Sequence, residues 1–312
     1  MNFAVLCPGQ GAQHAAMLDL VTGHPAAEEV LRQGGEALDI HPREWLTRPH
    51  ELFGNTVAQP LLCLTELATW SALRDRVAEP GAFAGYSVGE LAAYACAGAI
   101  DAALLARLAR IRAGLMDDAV KRPGGLIAVR GLPRDAIEAL CANALVWIAI
   151  VNGEDAFVVG GETAAVENFA GNAGERGAQI ARLDVGVASH TPLLESAVIP
   201  FRSVLEDSAF RAPATPVVAG IDASWVTARA PAIARLAAQI AARIEWASCL
   251  DALFERGCRV FLELGPGGAL SRMARERLGA EAEARSVSEF RSLDAVAAWV
   301  RRRGGQASPP PL

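Results

Sequence analysis

Ala82-Phe83-Ala84-Gly85-Tyr86-Ser87-Val88-Gly89-Glu90-Leu91-Ala92-Ala93-Tyr94-Ala95-Cys96-Ala97 carries an apolar run into a G-x-S-x-G turn and out again into helix-forming residues. Strand, tight turn and helix in that order is the setting in which a serine is lifted clear of a sheet as a nucleophile. Glycines on both sides remove side chains where strand and helix crowd together. The start of the helix aims backbone N–H groups at any negative charge that develops there. A plain reading stands beside this one: a glycine-rich strand–helix turn whose serine caps the helix.

Upstream, residues 2–7 read as a short buried strand running into Pro8-Gly9-Gln10-Gly11-Ala12-Gln13. With an exposed serine beside it, the N–H groups of that loop become candidates for half of an oxyanion hole. Helices are predicted over 25–39 and 57–77, the second with Leu61, Leu62, Leu64, Leu67 and Trp70 at helical spacing. His14, His24, His41 and His50 lie in polar or turn-like surroundings and are given no role.

Gly98 is expected to end the helix after Ser87, and Asp101 to cap the next, over about 102–120. There Leu104, Leu105, Leu108, Ile111 and Leu115 form one apolar face, Arg107 and Arg110 point away, and Arg112 falls within the face. An unpaired buried charge is costly. Periodicity therefore leaves two readings open: an internal ion pair, with Asp117 or Asp118 as partner, or a fork that receives a substrate carboxylate.

Lys121-Arg122-Pro123-Gly124-Gly125 breaks that helix, and the chain beyond it alternates as strand 126–130, helix 133–144, strand 145–151, strand 156–160, helix 163–176 and strand 179–185. This βαββαβ order is the split-βαβ, ferredoxin-like arrangement, with Asn152-Gly153-Glu154-Asp155 as the hairpin turn. The fold class is thus α/β, with residues 123–191 as a ferredoxin-like subdomain inserted into a core of residues 1–122 and 192–312. At the junction, Ser189-His190-Thr191-Pro192 places a histidine downstream of the serine. No strong aspartate lies between them in hydrolase order, so a Ser–His dyad with a backbone carbonyl orienting the imidazole is the simpler arrangement. Beyond it a helix over 192–206, a strand over 215–221, a helix near 230–243 and a strand over 259–264 are predicted, with a disordered tail from Arg301.

Composition narrows the class. Of 312 residues, 52% are hydrophobic and 21% charged, enough for a sizeable core, and the net charge of −6 argues against a general nucleic-acid or anionic-membrane binder. No apolar stretch approaches a membrane span, and the first residues lack the basic segment of a secretory signal. Six scattered cysteines without C-x-x-C spacing read as reduced core residues of a cytoplasmic protein, and no His/Cys cluster has metal-ligand spacing.

Taken in order, these motifs resemble the malonyl-CoA:acyl-carrier-protein transacylase family along nearly the whole chain. The glutamine loop at 8–13, Gly85-x-Ser87-x-Gly89-Glu90, Arg112 placed 25 residues after Ser87, Ser189-His190 and Glu263-Leu264-Gly265-Pro266-Gly267 match the family's sequence of motifs. The resemblance implies a hydrolase-like α/β core with a mostly parallel sheet around the inserted subdomain. It further implies Ser87 as nucleophile, His190 as base, the N–H groups of Gln10 and Val88 as oxyanion hole, and Arg112 as carboxylate receptor. It also implies the main-chain carbonyl of Gln239, ahead of Ile244-Glu245-Trp246, as the group that orients the histidine. Tyr86, Asn152 and Ser189 are candidate pocket residues. Malonyl-CoA would be the donor and the phosphopantetheine-type arm of an acyl carrier protein the acceptor, with no permanently bound cofactor and no metal.

Two departures bear on the branch. Tyr86 stands where members serving fatty-acid synthesis carry histidine, which looks like the transacylase subunit of bacterial malonate decarboxylase. On that basis the carrier subunit of that complex is the expected partner, along with other decarboxylase subunits. A transacylase of fatty-acid or polyketide synthesis is the alternative, and a serine esterase or thioesterase a more distant one. A non-catalytic partner domain within a larger synthase is disfavoured by the presence of Ser87, His190 and Arg112 together. Val187-Ala188-Ser189-His190 also resembles a methylmalonyl-type signature of polyketide acyltransferases, although stand-alone malonyl enzymes carry serine in that place too.

Overall fold

Strand alternation decides which residues meet. In the computed structural model, which describes residues 2–304, Phe3, Val5 and Cys7 of β1 (Asn2–Cys7) join one apolar cluster. Ala4 and Leu6 join another on the opposite face. The same division recurs in β2 (Ala82–Gly85), with Phe83 on one side and Ala82 and Ala84 on the other. A sheet buried on both faces is what a parallel sheet covered by helices requires.

The remaining strands are β3 (Gly124–Arg130), β4 (Trp147–Val151), β5 (Ala156–Glu162), β6 (Gln179–Arg182), β7 (Val217–Val218), β8 (Trp225–Val226), β9 (Cys258–Glu263) and β10 (Glu283–Ser286). Six of the ten form the larger sheet in the order β10-β9-β1-β2-β7-β8. Every pairing in it is parallel except β7 with β8. The smaller sheet has the order β4-β5-β3-β6 and is antiparallel throughout. Its two helices follow the βαββαβ pattern read from the sequence.

The helices are α1 (Pro25–Leu38), α2 (Pro42–Leu46), α3 (Asn55–Leu73), α4 (Gly89–Cys96), α5 (Ala102–Ala119), α6 (Arg134–Ala144), α7 (Thr163–Glu175), α8 (Glu195–Asp207), α9 (Arg229–Ala238), α10 (Trp246–Glu255), α11 (Ala269–Leu278) and α12 (Leu293–Gly304). Buried residues of α1, α3, α4, α5, α8, α9 and α12 share one face of the large sheet, and those of α10 and α11 the other.

Several expectations are corrected in detail. The strand expected over 215–221 is only Val217–Val218, because the chain turns at Ile221-Asp222 to make the hairpin with β8. The helix expected to reach 243 ends at Ala238, and Ile244, between α9 and α10, bridges to Ile150 of β4, the edge strand of the small sheet. Ile111 is exposed at 38%, so the buried stripe of α5 runs through Leu104, Leu105, Leu108, Arg112 and Met116 instead. His41 is not idle: its ring accepts from Arg43 N–H and caps α2. Residues 301–304 end α12 rather than beginning a tail, and residues 305–312 lie outside the described residues. Among the described residues, no helix is long and apolar enough to cross a membrane, and all six cysteines are buried and unpaired.

Candidate active site

Register brings the first two motifs together. β1 and β2 run parallel with Cys7 opposite Gly85, so the glutamine loop and the serine turn leave neighbouring strands at the same edge. Glu263 lies opposite Leu6 in the next strand over, which adds the Gly265–Gly268 turn to that edge. Loops at the carboxyl ends of parallel strands are where open α/β sheets place their sites.

Close approach explains both glycines of the turn. A Cβ on Gly85 would lie 2.1 Å from Glu90 N, and one on Gly89 2.1 Å from Cys7 O. Ser87 itself has φ of 56°, a left-handed conformation that a non-glycine residue adopts at a cost of about 1–3 kcal/mol. Neighbours on each side hold it there: Gly89 N–H donates to Tyr86 O and Glu90 N–H to Ser87 O, each at 3.0 Å. Val88 N–H and Gln10 N–H donate to no backbone acceptor among the described residues. Gln13 braces the glutamine loop, accepting from Gly11 N–H and donating to Leu52 O at 3.1 Å.

His190 arrives from the segment that returns from the small sheet. Its N–H donates to Ile240 O at 2.9 Å, and its φ of 62° is again left-handed. The imidazole is buried, with Nε2 2.8 Å from Ser87 Oγ and Nδ1 2.6 Å from the main-chain oxygen of Gln239. A carbonyl can only accept, so Nδ1 carries the proton and Nε2 is left as acceptor for the serine hydroxyl. Burial, reinforced by the charge of Arg112 and opposed by the Gln239 carbonyl, pushes His190 down to about 3.

Arg112 is buried to 1% exposure, and neither Asp117 nor Asp118 neutralises it. Asp117 accepts from Asn55 instead, at 2.6 Å, and Asn55 in turn accepts from the Gln10 side chain at 3.0 Å. The arginine's partners are two neutral amides: Nη1 donates to Gln59 Oε1 at 2.8 Å and Nη2 to Gln239 Oε1 at 3.3 Å, while Nε has no partner. Burial pushes its pKa down to about 10, which leaves it charged at neutral pH. This is a guanidinium held in place by groups that orient it without satisfying its charge.

The model of the acyl transferase domain matches residues 5–303. The chain belongs to this acyltransferase family. It is 30% identical over 306 residues to the malonyl CoA-acyl carrier protein transacylase of Haemophilus influenzae, covering 95% of this chain and 98% of that one. The Escherichia coli K12 protein of the same name is 30% identical over 280 residues, 86% of this chain and 91% of that one. Among solved structures, the acyl-carrier-protein S-malonyltransferase of Burkholderia pseudomallei superposes with a TM-score of 0.90 at 30% identity, covering 96% of this chain and all of that one. A type II PKS acyl-carrier protein in complex with its malonyl-transacylase gives a TM-score of 0.90 at 28% identity, covering 96% of this chain and 99% of that one.

In this acyltransferase, a cleft of about 380 Å³ opens between the two sheets. Gln10, Tyr86, Asn152, Phe157 and Met273 line it, with Arg130 and Arg272 among its other walls. Tyr86 packs edge-on against Trp246, ring centroids 5.4 Å apart, with its phenol beside the Asn152 side chain. Burial raises that phenol's pKa, keeping it neutral. Ser189 is buried next to His190, but the contact it makes is through its backbone, Ser189 N–H to Val187 O at 2.8 Å.

Sequence reasoning missed Gln59, the side chain of Gln239, and a role for Glu90. Gln59 is one of several buried polar residues of α3, with Glu66 seven residues on along the same face, so the pattern marks it as unusual without naming its partner 53 residues away.

Proposed function

We propose that the protein is a malonyl-CoA:acyl-carrier-protein transacylase acting by ping-pong transfer through a malonyl-serine. Ser87 Oγ attacks the thioester carbonyl as His190 Nε2 takes its proton. The N–H groups of Gln10 and Val88 stabilise the tetrahedral oxyanion, and His190 returns the proton to the departing CoA sulfur. A carrier-protein thiol, presented on a phosphopantetheine-type arm, then repeats the sequence in reverse and leaves with the malonyl group. The cleft between core and inserted subdomain, residues 123–191 against 1–122 and 192–312, is the path by which both thioester arms reach Ser87. We place the reaction in the cytoplasm, in keeping with six unpaired buried thiols.

The observation that carries the reading is Arg112: a buried guanidinium without a carboxylate partner, tied to Gln239, the residue that orients the histidine. A bidentate charge-assisted pair with the free carboxylate of malonyl is the chemistry such a group is suited to.

Malonate decarboxylase was the expected setting because of Tyr86. The relatives favour the alternative, a transacylase serving fatty-acid or polyketide synthesis, since those named are malonyl CoA-acyl carrier protein transacylases. Tyr86 has a local packing role against Trp246 that any branch could use. We therefore adopt the alternative, with an acyl carrier protein as partner.

Intact mass after brief incubation with malonyl-CoA tests the reading. One malonyl adduct is expected, located by fragmentation on Ser87, with acetyl-CoA giving little. Free CoA and malonate accumulating without an adduct would assign the protein to the hydrolases.

The lowered pKa of His190 gives a second expectation. The base works when neutral, and an ordinary histidine loses that form below about 6.5. His190, held down to about 3, stays neutral through that range. Acylation kcat/KM, which reports the free enzyme, is thus expected to run flat across pH 6.5 and fall only in strongly acid solution. A phosphate-free malonyl thioester keeps the substrate from titrating in the window. A descending limb centred near 6.5 that persists in Glu90→Gln, which removes the neighbouring carboxyl raised to about 7, would show that the imidazole is solvated.

A further inference from the structure

Glu90 follows the serine turn and touches none of the reacting atoms, yet its carboxyl is buried at 1% exposure beneath the site. Its Oε2 accepts from Gly220 N–H at 2.9 Å and from Gln239 Nε2 at 2.5 Å. Gln239, itself fully buried, makes three further bonds of consequence. Its side-chain Oε1 accepts from Arg112, its main-chain oxygen accepts from His190, and its N–H donates to Arg235 O at 2.9 Å. One residue thus links the carboxylate-binding arginine to the histidine, and Glu90 is what fixes its amide.

An amide can be turned end for end at little cost unless its neighbours discriminate oxygen from nitrogen. Here they do. Arg112 has only donors, so it requires the amide oxygen, and Glu90 Oε2, already receiving Gly220 N–H, requires the amide nitrogen. Gln59 holds the second edge of the guanidinium in the same sense. Removing Glu90 would leave the Gln239 NH2 and Gly220 N–H buried without an acceptor, and the amide free to swing its donors towards Arg112. Protonation does not undo the arrangement. Burial raises the Glu90 carboxyl to about 7, but Oε2 receives both bonds, so the proton sits on Oε1, which has no partner.

We propose that Glu90 is a positioning residue for substrate selection: by orienting the Gln239 amide, it aims Arg112 at the substrate carboxylate. The inference rests on the transacylase reading and deepens it. A role confined to stability would slow malonyl and acetyl transfer alike. A role in aiming Arg112 weakens malonyl alone, because acetyl has no carboxylate to meet the guanidinium.

The experiment measures kcat/KM for acylation by malonyl-CoA and acetyl-CoA in Glu90→Ala, Glu90→Asp and Glu90→Gln. Glu90→Ala is expected to lower the malonyl/acetyl ratio about tenfold, through KM for malonyl, the size of loss that a sub-ångström misplacement produces. Glu90→Gln, which keeps an acceptor at the Oε2 position, is expected to restore the ratio to within about threefold of wild type. Should Glu90→Ala fail to fold, Glu90→Asp decides: its carboxylate is drawn back by one methylene, and the ratio should fall. An unchanged ratio in a folded Ala or Asp variant, with normal wild-type acylation, overturns the positioning role and leaves the transacylase reading intact. Absence of malonyl acylation in the wild-type protein overturns both.

Discussion

Arg112→Ala is expected to lower kcat/KM for malonyl-CoA by roughly 10²-fold and to leave acetyl-CoA unchanged or improved, so that the preference between them narrows or inverts. Truncating one partner of a buried, hydrogen-bonded charge pair costs about 2–5 kcal/mol, and about 3 kcal/mol corresponds to that factor. Acetyl gains for a separate reason. In the wild-type site an acetyl group would be packed beside a guanidinium whose partners among the described residues are the two amides of Gln59 and Gln239. Removing the arginine removes that desolvated charge. Arg112→Lys is the informative control, because an ammonium restores the charge but not the planar fork, and it should recover only part of the malonyl rate. Steady-state kinetics with both thioesters decides the matter. An equal fall for the two substrates would mean that Arg112 supports the fold around His190 and does not select the acyl group.

Arg112 also shows what could be read from the chain and what could not. Its place on the apolar stripe of α5 follows from 100° steps along the sequence, but periodicity could not choose between an ion pair and a ligand. The choice depended on what α3 and the residues after α9 bring to it, and those partners lie 53 and 127 residues away. The serine turn was legible because its glycines, its preceding strand and its following helix are contiguous. The small sheet was legible for the same reason: its alternation is local and its hairpin carries its own turn residues. The second half of the large sheet was less so. β7 and β8 contribute two residues each, too few for a period, and β10 carries Glu283 and Arg285 on the half-buried side of an edge strand. The role of Glu90 was hidden in a further way. The groups that bond to its carboxyl, Gly220 and Gln239, come from two separate segments, held together where Glu245 N–H donates to Gly220 O at 2.7 Å.

Gly89→Ala is expected to be severely destabilising, and the sign of the effect separates tertiary geometry from helix propensity. Gly89 is the first residue of α4, where alanine is ordinarily the better helix former by about 0.5–1 kcal/mol. In the folded chain, however, an added Cβ would lie 2.1 Å from Cys7 O, 2.5 Å from Pro8 O and 2.7 Å from Cys7 C. All three are backbone atoms, so no rotamer change relieves the clash. Relief requires the end of β1 to move away from the serine turn, and that movement also carries off Gln10. At about 1.5 °C per kcal/mol for a chain of 312 residues, several kcal/mol of strain should lower Tm by about 5 °C or more. Gly114, in the interior of α5, has nothing within 4 Å of the position its Cβ would take. Gly114→Ala is therefore expected to raise Tm slightly, through the ordinary entropy of the unfolded chain. Thermal melts of the two variants thus carry opposite signs for the same substitution in two helices. Equal stabilisation by both would mean that β1 and the turn are farther apart than a serine nucleophile and a Gln10 N–H serving one oxyanion can be.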